Sequence, residues 1–304
     1  MWLLLAFSSA VLLGFYDVFK KQGLKNNAVL PVLTLNTLFC SLVFLPLVIM
    51  SATGNIGADS LFYVPATTWT DQKYIFLKAV IVLSSWLCGY YGIKHLPITI
   101  VGPINATRPV MVLLGALFFF GERLNLYQWI GVLLAIFGFF LLSRSGKKEG
   151  IDFRHNRWIL LVVLAAVLGA VSGLYDKYLL APVGSGGVGI NRMAVQSYFT
   201  FYQFFMMMVV AVISRRVEAS LTSFSWRWSI LLISLFLVAA DFVYFYALTL
   251  PTALISVVSM IRRSSVVVSF AVGALVFREK NLRSKAFDML LVLLSLLFLW
   301  LGSR

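Results

Sequence analysis

Apolar residues run in ten segments of about twenty residues, the length that carries a helix through about 30 Å of hydrocarbon. They lie near 2–19, 28–51, 75–93, 98–120, 126–143, 158–180, 193–214, 227–247, 251–277 and 286–302, and two are interrupted by proline or charge. Polar positions collect in the connections, which are short and leave no room for a separate soluble domain. The period-two alternation of a transmembrane barrel is absent. In lipid every backbone donor and acceptor must be satisfied within its own segment, so the pattern predicts an all-α membrane protein of ten transmembrane helices. The first segment opens the chain and carries small residues at Ser8, Ser9 and Ala10, as a signal peptide does. It lacks a basic n-region and runs on to Asp17, so it is read as a mature helix.

The most polar connection, Ser143 to Arg157, separates five segments from five. The chain divides accordingly into 1–143, a first five-helix repeat; 144–157, a polar connecting loop; and 158–304, a second repeat. Gly14-Phe15-Tyr16-Asp17 returns as Gly173-Leu174-Tyr175-Asp176, Tyr91 to Pro97 as Phe245 to Pro251, and Gly121-Glu122-Arg123 as Arg278-Glu279-Lys280. The common order of these matches argues for duplication. An odd number of spans per half turns the second copy over, which gives two inverted five-helix repeats, the plan of many secondary transporters.

Composition agrees with this class: 61% of the 304 residues are hydrophobic and 12% charged, against about a quarter charged in soluble domains. The net charge of +14 is spread over loops beside the spans. It therefore reads as topology and lipid-headgroup contact, and nucleic acid is not an expected partner. Loops after odd-numbered spans hold sixteen Lys and Arg, the other side five. The positive-inside rule then places the odd loops in the cytoplasm and both termini outside. Cys40 and Cys88 sit in apolar runs without a CxxC or Cys/His cluster, so neither a disulfide framework nor a metal site is expected. No nucleophile triad, HExxH or phosphate-binding glycine loop stands in a suitable context; the chain is not read as an enzyme, and no cofactor is expected.

The candidate chemistry lies inside the spans. Arg262 and Arg263 stand side by side in the middle of Leu254 to Phe277, where charge is costly unless it faces a polar cavity or a partner. An offset of 154 maps Arg108 of the fourth span onto Arg262. Three guanidinium groups are thus expected to converge, each with a planar fork suited to carboxylate or phosphate. Pro103 and Pro109 are expected to kink the fourth span and free carbonyls. Against substrate binding stands a structural ion pair, in which Asp241 neutralises one of the arginines. Tyr244 and Tyr246 are candidate hydroxyl donors, or packing residues near an interface. Asp17 and Asp176, equivalent in the two halves, are candidate gating or proton-coupling residues, or helix-end carboxylates paired locally. Glu122 and Glu279 are read as surface pairs with Arg123 and Lys280 that fix a turn, and the two histidines as solvated.

The residues Pro103, Pro109, Leu113 to Arg123 (LLGALFFFGER) and Tyr127-Gln128-Trp129-Ile130-Gly131 with Gly138 resemble the drug/metabolite transporter superfamily, most closely its ten-helix EamA-type members. The resemblance implies inverted repeats around a central cavity, alternating access, and cytoplasmic termini, the last against the charge count. Organophosphate translocators of that superfamily hold phosphate with basic residues on the fourth and ninth helices, and the placement of Arg108, Arg262 and Arg263 looks similar. The expected function is secondary transport of a small anionic metabolite across the inner or plasma membrane, the alternatives being export of neutral solutes or flipping of a lipid phosphate. The expected partners are a small-molecule substrate and the lipid bilayer.

Overall fold

The computed structural model describes residues 1–95, 104–105, 107–144, 157–218, 224–265, 267–268, 272 and 282–302. Among them are ten α-helices: α1 Trp2–Leu24, α2 Val29–Ala52, α3 Trp69–His95, α4 Arg108–Phe119, α5 Leu126–Arg144, α6 Arg157–Leu180, α7 Arg192–Glu218, α8 Trp228–Thr249, α9 Ile255–Arg263 and α10 Leu282–Leu301. No strand occurs among the described residues. Five of these helices, α1, α2, α6, α7 and α8, are long and apolar enough to cross a membrane. Outward residues of the helices are large and apolar: Leu4, Phe118, Phe119, Leu160 and Ile213 are each about 70% exposed or more. A soluble monomer rarely presents so continuous an apolar surface, and a bilayer accounts for it.

Helix α1 packs along α8, α3 along α6, and α5 along α10. Helix α2 lies on α7 and α8, α3 also meets α7, and α4 sits between α6 and α9, which in turn touches α1. Apolar burial gives little discrimination between helices in lipid, so polar contacts help to fix these pairings. Ser9 Oγ donates to Ala240 O at 2.8 Å and joins α1 to α8. Ser85 Oγ donates to Ala165 O at 2.8 Å and joins α3 to α6. Ser41 Oγ reaches Thr200 O across α2 and α7 at 3.0 Å, and Ser234 Oγ reaches Asn36 Oδ1 across α8 and α2 at 3.0 Å.

The fourth and ninth spans differ most from their expected form. Helix α4 begins at Arg108, with Thr107 before it and Pro109 in its first turn, where the missing proline donor costs nothing. Pro109 follows the turn at Thr107 that separates α4 from helical Ile104 and Asn105; Pro103 lies outside the described residues. Helix α9 starts only at Ile255, after the turn Leu250–Leu254, and ends at Arg263. Each short helix has an arginine of the predicted site at one terminus, Arg108 at the start of α4 and Arg263 at the end of α9.

Candidate functional site

Six helices and one residue of a seventh enclose a cavity of about 520 Å³. Helix α6 contributes Gly169, Ser172, Gly173 and Asp176, spaced as one helical stripe, and α1 contributes Leu13, Tyr16, Asp17 and Lys20 at the same spacing. Lys78, Ser85, Trp86 and Gly89 come from α3, and Leu237, Asp241, Tyr244 and Phe245 from α8. Helix α4 adds Arg108, Pro109 and Val112, helix α9 adds Ile255, Ser259, Arg262 and Arg263, and Phe199 enters from α7.

A continuous chain of charged and aromatic groups crosses this space. Arg262 Nη2 donates to Asp241 Oδ1 at 2.7 Å, and its guanidinium lies 3.7 Å from the centre of the Tyr244 ring. The Tyr244 hydroxyl donates to Asp176 Oδ2 at 3.3 Å. The other oxygen of Asp176 accepts from Lys78 Nζ, and that ammonium also sits 4.5 Å from the Phe199 ring and 4.9 Å from the Phe245 ring. Aromatic faces attract a desolvated cation, so Lys78 is held by charge on one side and by rings on the other. Asp17 is exposed to the cavity, within the electrostatic reach of Lys20 and Arg263.

Arg108 is placed differently. Its guanidinium fills the space beside Gly169 where a side chain would otherwise stand. Like charges on Arg262 and Arg263 act on it, opposed in part by the Asp176 carboxylate, and no hydrogen bond or ion pair holds it among the described residues. It also occupies the first residue of α4, the positive end of that helix, whereas Arg262 and Arg263 lie in the last turn of α9, where the dipole favours cations. Among the described residues the lining includes five cations, Lys20, Lys78, Arg108, Arg262 and Arg263, and three carboxylates, Asp17, Asp176 and Asp241, a net of two positive charges.

Helix α9 is held from below its first turn. Glu122, in the turn after α4, is buried and accepts from Ile255 N at 2.6 Å, from Ser256 N at 3.2 Å and from the Ser256 hydroxyl. A carboxylate here satisfies donors that the helix leaves open and meets the positive end of its dipole. Lys177 Nζ donates to Ala253 O at 2.6 Å in the same turn. This corrects the reading of Glu122 as a surface pair: it reaches across to another helix and sets where Arg262 and Arg263, two turns on, enter the cavity. Glu279 lies outside the described residues.

Of the residues singled out in the sequence, the structure brings Arg108, Arg262, Arg263, Asp241, Tyr244, Asp17 and Asp176 to one cavity and leaves Tyr246 out of it. Two residues on a helix turn by about 200°, so Tyr246 faces away from Tyr244. Its ring packs with that of Phe242 around the Arg192 guanidinium, 4.6 Å from each, while Arg192 Nη2 donates to Leu61 O at 2.9 Å. Asp176 pairs across helices with Lys78 rather than with its own neighbours. Lys78 was not anticipated. Its signal in the sequence was a single charge inside the third apolar segment, which at such a depth marks a site by default.

Residues 1–144 match the model of the EamA-like transporter family. It is 28% identical over 148 residues to an "Uncharacterized transporter in cobO 3'region" of Sinorhizobium sp, a match covering 47% of this chain and 96% of that one. It is 37% identical over 79 residues to an uncharacterized protein of Methanocaldococcus jannaschii, covering 25% and 58%. It is 24% identical over 153 residues to an uncharacterized transporter of Archaeoglobus fulgidus, covering 48% and 49%. The chain thus spans about half the length of the last two relatives. One crystal structure superposes on 100% of this chain and 97% of its own at a TM-score of 0.73 with 13% identity, a likeness of fold. The family match and the apolar helices together make this an integral, multi-pass membrane protein.

Proposed function

We propose that the protein is a secondary transporter that carries a small anionic metabolite, carboxylated or phosphorylated, across the inner or plasma membrane by alternating access. The observation that carries this reading is the charge balance of one cavity: among the described residues five cations face three carboxylates, and Arg108 has no hydrogen-bonded partner. In a space partly shielded from water an excess of guanidinium attracts an anion more strongly than it would at a surface. The substrate anion bridges Arg108 and Arg263, with Arg262 held in place by Asp241. Asp17 and Asp176, at matching positions on α1 and α6, are the gating or coupling carboxylates.

Two inverted five-helix repeats, 1–143 and 158–304 joined by the loop 144–157, supply the moving parts. The packing pattern supports this: the contacts α1 with α8, α2 with α8 and α4 with α6 have as counterparts α6 with α3, α7 with α3 and α9 with α1. Short helices that end near the cavity are a further mark of such transporters.

The test is thermal melting of the purified protein with inorganic phosphate and with a carboxylate panel. Ligand at a hundred times its dissociation constant adds about 2.7 kcal/mol of apparent stability. Phosphate or a carboxylate is expected to raise the melting temperature of the unsubstituted protein and to do so less for Arg262→Lys, which keeps charge but loses the fork. It should have no specific effect on Arg108→Gln, which also controls for general salt effects. Stabilisation by neutral solutes alone, indifferent to Arg108→Gln, would return the protein to neutral-solute export.

A further inference from the structure

Helix α6 faces the cavity with two glycines one turn apart, Gly169 and Gly173. Glycine is the poorest helix former after proline, so each needs a reason, and the reasons differ. A methyl group on Gly173 would meet only Val112 Cγ2 at 3.8 Å, an ordinary contact. A methyl group on Gly169 would fall inside the Arg108 guanidinium, on Nη2, Cζ and Nε. Close helix packing alone would bring another helix's backbone or apolar side chains to such a glycine; at Gly169 the three nearest atoms all belong to one charged group.

We infer that Gly169 is a positioning residue for anion recognition: its bare backbone forms the notch that seats the Arg108 guanidinium. This rests on the anion reading given above. Arg108 has little room to choose another seat. It is the first residue of α4, and the ring of Pro109 next to it narrows the backbone conformations open to it. Towards the cavity stand the like charges of Arg262 and Arg263, with the Asp176 carboxylate beyond direct contact. A side chain at position 169 drives the guanidinium towards those charges and into the volume the anion needs. The notch thus keeps the cationic groups spaced, so that an acceptor fits between them rather than against one of them.

The experiment is calorimetric titration of inorganic phosphate into the purified full chain. Gly169→Ala is expected to weaken binding about tenfold, the equivalent of one charge-assisted hydrogen bond. Gly173→Ala makes the same chemical change one turn away and is expected to bind as the unsubstituted protein does. In an Arg108→Lys background, where a slim ammonium replaces the planar group, Gly169→Ala should change affinity by less than about twofold, a coupling that a purely structural glycine would not produce. Unchanged affinity in Gly169→Ala, or an equal loss in both backgrounds, overturns the inference. Should Gly169→Ala alone not fold, the Arg108→Gln/Gly169→Ala variant decides: recovery of folding supports the notch, and failure to recover overturns it. The two readings separate cleanly. Weak binding by Arg108→Gln with normal binding by Gly169→Ala removes only this inference, whereas absence of phosphate binding by the unsubstituted protein removes both.

Discussion

Replacing Lys78 by Met asks what the ion pair at the inner wall of the cavity contributes. The side chains of Lys78 and Asp176 are 2% and 8% exposed. Removing one partner of such a pair leaves a buried charge uncompensated, a loss of about 3–5 kcal/mol. The Lys78 cation also lies over the rings of Phe199 and Phe245, a contact of up to about 2 kcal/mol when desolvated; a methionine sulfur recovers part of it. Asp176 keeps the Tyr244 hydroxyl at 3.3 Å and borders a cavity that admits water, which brings the expected loss to the low end, about 3–4 kcal/mol. At about 2 °C per kcal/mol for a chain of this size, Lys78→Met should melt about 6–8 °C lower. Asp176→Asn should lose less, because its amide oxygen still accepts from Lys78 and the rings still face the ammonium. The double variant has no charge left to strand and should melt above Lys78→Met alone. The assay is detergent-solubilised melting at one fixed scan rate, since unfolding of such proteins is commonly irreversible. Losses that simply add in the double variant, or a Lys78→Met melt within about a degree of the unsubstituted protein, would refute the pairing as a source of stability.

Two further predictions concern the frame around the site. Glu122→Ala strips the acceptor from Ile255 N, Ser256 N and the Ser256 hydroxyl; it should cost about 2–4 kcal/mol and weaken phosphate binding as α9 loses its anchor, while Glu122→Gln, which keeps an acceptor, should cost about 1 kcal/mol. Melting and phosphate titration on the same samples check both effects. A reporter fused after Arg304 should read as external, following the charge bias of sixteen to five, and a cytoplasmic signal there would restore the orientation usual for the superfamily that the sequence resembles.

What was legible in the sequence was what each segment must satisfy by itself. Ten apolar runs could be placed because backbone desolvation and hydrocarbon thickness act on a segment without regard to its neighbours. Arg108, Arg262 and Arg263 stood out for the same reason: their cost is incurred wherever the helix packs. Pairings were less legible. Asp176 meets Lys78 across 98 positions and Glu122 meets Ile255 across 133, and neither separation carries a local signal. Tyr246 is the opposite case, because helical periodicity alone sets it apart from Tyr244 once Tyr244 faces inward. The arginines and the helix interruptions, which look like separate oddities in the sequence, have one physical cause. A helix that stops within hydrocarbon leaves backbone groups that lipid cannot satisfy. Such an end is tolerable only beside a polar space, and a polar space is also the only place where a guanidinium is tolerable at that depth. Helix α4 starts at Arg108 and α9 stops at Arg263, so each of these two guanidinium groups stands at a helix end that requires the cavity.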